Sequence, residues 1–480
     1  MPQAQISITN FQKWMIFTII STGTFMSLLS ATSINVALPL LAKEFGAPLS
    51  GIQWVVTGYF LVISSILPIF GWAGDMTQRK YVIALGFAIF GIGGLLCSQS
   101  TSLSGLIIAR LVQGIGASMN MANSYAAITG AFPANQRGRA LGMQGSMVAL
   151  GSISGPAVGG LLLDFFGWHS IFYITLPFAL IGCLLSLSYI PKVPKRKIES
   201  FDFVGAITLV VAIALLTVSL SQFGRPGWSD TEIAVYATIS ILLFLFFHRW
   251  EKRHVAPLVD IHMFSNKVFL SGNLAGLSAF LALNSNNMLL PFYLHDILGL
   301  EPRAMGMVLM VFPIMVIIAA PLSGSLSDRY GAPRFAITGM ALMTCALLSL
   351  VFTIPFKTVG FIVASLALFG ISNGMFQSPN NSTTLAVIPV EKHGMAGSIV
   401  ALMRNFGAVV GIALSVRLCD MVQESELAKQ VLITTEIQND AFIAGMQAAL
   451  LLGAFFAFIG LIFSLTKRKN LSNSKDEKTA

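Results

Sequence analysis

Apolar residues dominate this chain in long stretches, separated by short joints that are charged or rich in Gly and Pro. A hydrocarbon core about 30 Å thick takes about 20 apolar residues in helical form. By that measure the pattern predicts about fourteen membrane-spanning helices, over 14–38, 52–72, 81–99, 103–126, 139–163, 168–190, 203–221, 232–249, 268–290, 304–325, 335–353, 359–388, 395–418 and 441–465. The first run is too long for a signal-peptide core, so it is expected to stay as a helix. The predicted class is an all-α integral membrane protein.

Composition agrees with this. Of 480 residues, 55% are hydrophobic and 10% charged, against about 25% charged in an ordinary soluble domain. A net charge of +9 would suggest nucleic acid in a soluble protein. Here the excess is topological, because Lys and Arg collect in cytoplasmic loops. With both termini inside, 21 of the 29 basic residues fall on inner loops and five outside, namely Lys43, Arg225, Arg303, Lys357 and Lys429. Arg110, Arg404 and Arg417 lie in or at the ends of helices. The four cysteines form no C-x-x-C pair, which points away from a metal site or disulfide framework. No cofactor is expected, and no nucleic-acid partner.

The chain repeats itself. "GWAGDMTQRK" (71–80) matches "GSLSDRYGAPR" (324–334), with Asp75 and Asp328 offset by 253. Pro39 and Pro291 are offset by 252, as are "GPAVGG" (155–160) and "GAVVGI" (407–412). These offsets predict two homologous six-helix bundles, over 1–200 and 265–480, the second ending in a basic tail. Two further helices are inserted between them, over 201–264. Parallel repeats of this kind build transporters whose halves rock about a site near the bilayer midplane.

With these motifs the chain resembles the major facilitator superfamily, and within it the fourteen-helix drug:proton antiporter branch. "GWAGDMTQRK" resembles the loop motif after the second helix, with Gln78 where Gly is usual. "LIIARLVQGIGAS" (106–118) resembles the fourth-helix motif, and "GMQGSMVALGSISGPAVGG" (142–160) the antiporter motif of the fifth. "QWVVTGYFL" (53–61), "FDFVGA" (201–206), "PLVDIHMF" (257–264) and "FQSPNNS" (376–382) are similar to stretches typical of this branch. The resemblance implies a multi-pass bacterial plasma-membrane protein, working as a monomer. It would export small amphipathic compounds by alternating access in exchange for H⁺. One further departure bears on mechanism: Ser30 stands where the family commonly has an aspartate.

Candidate residues follow from the chemistry of charge and small side chains in lipid. Gly151, Gly155 and Gly159 form an i, i+4 stripe, and with Gly142, Pro156 and Gly160 they are read as a close, bendable seam between the halves. Asp75, Arg79 and Lys80, mirrored by Asp328 and Arg329, are read as a charged gate on the cytoplasmic loops. Arg110 is an intramembrane charge, functional by default. Gln53, Trp54, Tyr59, Asn284, Asn286, Asn287, Gln377, Asn380, Asn381 and Arg404 are cavity candidates. The helices carry almost no Asp or Glu. Proton exchange would then fall to Asp75 or Asp164, with His295–Asp296 the only further pair to test. A cavity without acids would favour neutral or anionic compounds as much as cations. The alternatives are a uniporter or exporter of a neutral, anionic or lipid-like metabolite, and a non-transporting sensor. The chain has no P-loop for ATP and no nucleophile–base pattern, so neither a primary pump nor an enzyme is expected.

Overall fold

The structure is a computed structural model. It describes residues 9–192, 202–223, 228–254, 257–389, 393–430, 432 and 434–479. Among the described residues, twelve helices are long and apolar enough to cross a membrane. In chain order with two further long helices, the elements are α1 (Asn10–Glu44), α2 (Leu49–Met76), α3 (Arg79–Ser98), α4 (Leu103–Ala131), α5 (Ala134–Phe166) and α6 (Ser170–Tyr189). The inserted pair is α7 (Phe203–Gln222) and α8 (Asp230–Glu251). Then come α9 (Lys267–Ile297), α10 (Pro302–Leu309 continuing as Val311–Tyr330), α11 (Ala332–Phe356), α12 (Val359–Ala386), α13 (His393–Ala428) and α14 (Thr435–Thr479). α4 and α5 are the two outside the twelve. Arg110, Gln113 and Asn120 dilute the apolar character of α4, and only Leu150–Phe166 of α5 is a continuous apolar stretch.

The helices pack as the sequence repeat requires. α1 packs on α4, α5 and α6, and α9 on α12, α13 and α14. α2 packs on α4 as α10 does on α12, and α3 on α4 and α6 as α11 does on α12 and α14. Between the two groups, α2 meets α13 and α5 meets α10, each contact being the symmetry mate of the other. α7 and α8 pair with each other, and α7 rests on both α2 and α13. Many large apolar side chains point outwards, among them Phe166, Leu180, Leu184, Leu242 and Phe455. In water such a surface would aggregate; in hydrocarbon it is the expected exterior.

The glycine stripe packs inside one group of helices, not between the groups. Space for a Cβ is taken by Phe25 at Gly151, by Thr32 and Ser33 at Gly155, and by Ser33 at Gly159, all on α1. The repeat reproduces this on α13, where Gly407 abuts Leu277 and Phe280 and Gly411 abuts Leu281 and Asn284 of α9. The contact between groups uses another face of α5. A Cβ on Gly160 would lie 2.6 Å from the Pro302 carbonyl oxygen, and a Cβ on Gly306 would collide with that of Pro156. The expected seam therefore divides in two: the 151/155/159 stripe welds α5 to α1, while Pro156 and Gly160 seal α5 against α10. Helical geometry accounts for this, since residues four apart share a face and 156 and 160 lie about 100° round from 155 and 159. The seal lies at the end of the bundle away from the chain termini. There one apolar cluster joins Ile34 to Leu41, Ile52 and Val55 with Leu289 to Leu294, Met305 and Val308.

Candidate functional site

Arg110 is fully buried in α4. Its Nε donates to the Val55 carbonyl (3.1 Å), and its Nη1 donates to Ser30 Oγ (3.0 Å) and Gln113 Oε1 (2.7 Å). The guanidinium lies over the Tyr59 ring, 4.1 Å from its centre. Tyr59 is itself held, its hydroxyl donating to the Ser27 carbonyl (3.0 Å). Three helices thus converge on one cation, and all three acceptors are neutral. Ser30 occupies the place of the usual acid and accepts a single hydrogen bond where a carboxylate would form a charged pair. Arg110 Nη2 and Gln113 Nε2 are buried without a partner. An intramembrane charge without a counter-charge costs at least a few kcal/mol, and here the three hydrogen bonds and the Tyr59 ring offset part of that cost.

A second polar cluster forms between α9, α12 and α14. Lys467 is only 2% exposed, although its place near the chain end reads as a solvated tail. Its Nζ donates to the Asn380 carbonyl (2.9 Å), Asn380 Oδ1 (2.9 Å) and Thr384 Oγ1 (2.7 Å), using all three protons. Asn380 in turn donates from Nδ2 to the Gly272 carbonyl (3.0 Å). Gly272 is required here, because a Cβ would collide with Thr384 Oγ1 and lie 2.9 Å from Lys467 Nζ. Against this clamp lies a cavity of about 10 Å³, room for one water. It is lined by Asn273, Phe280, Phe376, Gln377, Asn380 and Asn381 among others, and Asn273 Oδ1 is buried without a partner. Lys467→Met removes the donor from three buried acceptors, each loss costing about 1–3 kcal/mol. The expected result is a clearly lower melting temperature in detergent, with Lys467→Arg less affected; unchanged melting of Lys467→Met would contradict the clamp.

The structure places the remaining candidates as follows. Gln53 is buried, with both amide atoms unpartnered; Trp54 beside it is half-buried. Tyr59 belongs to the Arg110 cage and not to an open cavity wall. Asn284 donates to the Phe280 carbonyl within its own helix (2.9 Å), Asn286 Oδ1 is buried without a partner, and Asn287 is half-buried. Gln377 and Asn381 do line a common cavity. Arg404 is half-buried on α13, its Nε 3.5 Å from Asn405 Oδ1. Asp164 is exposed at the end of α5, and Asp296 is exposed while His295 lies 3.3 Å from the Leu300 carbonyl. Of the gate, Arg79 and Lys80 are half-buried, Lys80 Nζ lies 5.8 Å from the centre of the Tyr81 ring, and Arg329 is exposed. The side chains of Asp75 and Asp328, and of the antiporter-motif residue Gly142, lie outside the described residues.

Two buried acids escape a hydropathy reading. Asp202 caps α7 and Glu251 ends α8, each 2% exposed. Each falls just beyond an apolar run, where sequence alone suggests water; the fold brings the two ends together and covers them.

Comparison with known proteins agrees with this architecture. A family model described as Major Facilitator Superfamily matches residues 20–412 and 273–479. The riboflavin transporter RibZ of Clostridioides difficile (strain 630) is 34% identical over 457 residues, covering 95% of this chain and 97% of its own. The multidrug resistance protein Stp of Mycobacterium tuberculosis is 29% identical over 83% of this chain and 74% of its own length. Among solved structures, a bacterial homolog of the human lysosomal transporter Spinster, inward-facing and unoccupied, superposes with a TM-score of 0.69 at 13% identity. It covers 97% of this chain and 98% of its own, a likeness of fold alone.

Proposed function

This chain belongs to the major facilitator superfamily, and on that premise we propose that it exports small amphipathic compounds of neutral or anionic character across a bacterial plasma membrane by alternating access, in exchange for H⁺. The observation that carries the reading is Arg110, a buried cation met by Ser30, Gln113 and a backbone carbonyl. A site of that sign repels lipophilic cations and accepts an anionic or carbonyl-rich ligand. The Asn, Gln and Phe side chains around the one-water cavity would, in a state that opens it, suit a neutral aromatic compound bearing hydrogen-bonding groups. The likeness to a riboflavin transporter over nearly the whole chain supports a cargo of that kind, and the likeness to a multidrug resistance protein supports export. In this reading both termini are cytoplasmic, the seal at Pro156, Gly160 and Gly306 closes the outer face, and a single copy suffices.

The test is flux in proteoliposomes under an imposed pH gradient, with riboflavin as neutral probe beside an anionic and a cationic amphipathic dye. Gradient-driven movement of the neutral or anionic probe, with the cation excluded, is the expected result. Transport confined to the cation would overturn the substrate reading, and gradient-independent flux would overturn antiport.

A further inference from the structure

We propose that Asp202 and Glu251 hold one proton between them, forming a proton-binding site at the base of the inserted helices. Asp202 Oδ1 is occupied, accepting from Gly205 N (2.7 Å) and Trp250 Nε1 (2.8 Å). Glu251 Oε2 is occupied as well, accepting from Val259 N (3.1 Å). The second oxygen of each, Asp202 Oδ2 and Glu251 Oε1, is buried and accepts no hydrogen bond. Both point into one small space: a Cβ on Gly205 would collide with each of them. Meeting at that one point, the two carboxyls face one another across it. A carboxylate only accepts, so a hydrogen bond between two carboxyls exists only when one carries a proton. Two like charges packed this closely, away from water, repel strongly, and sharing a proton removes the conflict. Gly205 leaves room for this pair.

The surroundings matter to the sign of the effect. His254 Nδ1 lies 3.9 Å from Asp202 Oδ2. At this end of the neighbouring elements stand His248, Arg249, Lys252 and Arg253 of α8, Asp260 and His262 of the following segment, Asp75 of α2, Arg79 and Lys80 of α3, Lys267 of α9, and His393 and Arg404 of α13. This neighbourhood is mainly basic, which favours release of the shared proton as pH rises.

The pair sits where the inserted helices touch both groups. Phe203, beside Asp202, packs edge-on against Trp72 of α2 (5.5 Å between ring centres). Val259, held by Glu251, belongs to an apolar cluster with Phe269, Ile388 and Ile399 of the other group. Losing the proton breaks the carboxyl–carboxyl bond and separates two charges at a strap that spans α2 and α13. A chain lacking the first-helix acid thus has a protonatable group joined to both moving parts.

Two readouts test the idea, and only the second depends on the transport reading. In infrared spectra of the purified protein near neutral pH, a protonated-carboxyl C=O band is expected, lost at high pH and lost in both Asp202→Asn and Glu251→Gln. These amides are isosteric, and each can donate to the remaining carboxylate in place of the shared proton. Absence of the band in the parent protein, or its persistence in both variants, would overturn the proposal even if transport proceeds as expected. In proteoliposomes, the variants are expected to flatten the dependence of transport on pH at least several-fold while keeping the fold and the cargo. Two variants with the parent pH profile would remove the pair from the transport cycle.

Discussion

Arg110→Ala is expected to abolish transport, lowering the rate at least about 100-fold, while Arg110→Lys recovers only a small part. The guanidinium joins α4 to the Val55 carbonyl of α2 and to Ser30 of α1 through two hydrogen bonds, makes a third to Gln113 of its own helix, and lies over Tyr59. Hydrogen bonds to a charged group are worth about 1.5–3 kcal/mol each, and about 3 kcal/mol corresponds to a hundredfold in rate. A lysine keeps the charge but not the planar fork or the stacking. Ala also strands the Val55, Ser30 and Gln113 acceptors in a dry interior. Flux in proteoliposomes measures this, with a melting curve to separate loss of transport from loss of fold. Arg110→Lys working at the parent rate would show that charge alone suffices.

Gly306→Val is the second large effect. The Gly306 Cα already lies 3.3 Å from the place a Cβ on Gly160 would take, and a Cβ on Gly306 itself would collide with the Pro156 carbonyl. No flexible side-chain end stands there to move aside; the obstacle is backbone. Val therefore holds α10 away from α5 and prevents that end from sealing. The maximal transport rate is expected to fall about 100-fold, equivalent to roughly 3 kcal/mol against the sealed state, with a milder loss for Gly306→Ala. A control, Gly360→Ala, meets open space and keeps the parent rate. Equal rates for Gly306→Val and the parent would mean that this contact does not form during the cycle.

The sequence made the architecture legible because lipid imposes a simple rule: apolar runs of sufficient length become helices. The repeat was equally plain, and Gly407 packs on Leu277 and Phe280 as Gly151 packs on Phe25 and Leu28, the partners lying 252 residues apart. Helix ends were less so. α1 runs from Asn10 to Glu44, several residues past its apolar core at either end, because backbone hydrogen bonding continues into the interface after hydropathy falls. α9 continues beyond Pro291 through a wide turn at Tyr293–Ile297, which no local pattern announces. Arg110 stood out as a charge inside an apolar run. Lys467, Asp202 and Glu251 did not, since each lies at a run's edge and only tertiary packing buries it. Likewise, the glycine stripe declared close packing but not its partner, because a small face fits a helix of the same group as well as one across the seam.

The central claim is that α1–α6 and α9–α14 move against each other, opening and closing the seal between α5 and α10. Spin labels on Phe166 and Arg303, exposed residues on its two sides, measure that movement directly by double electron–electron resonance after the native cysteines are replaced. Two distance populations are expected, a short one for the sealed state and a longer one that gains weight in Gly306→Val. A single short distance, unchanged by cargo, by a pH gradient or by the Val substitution, would contradict the account.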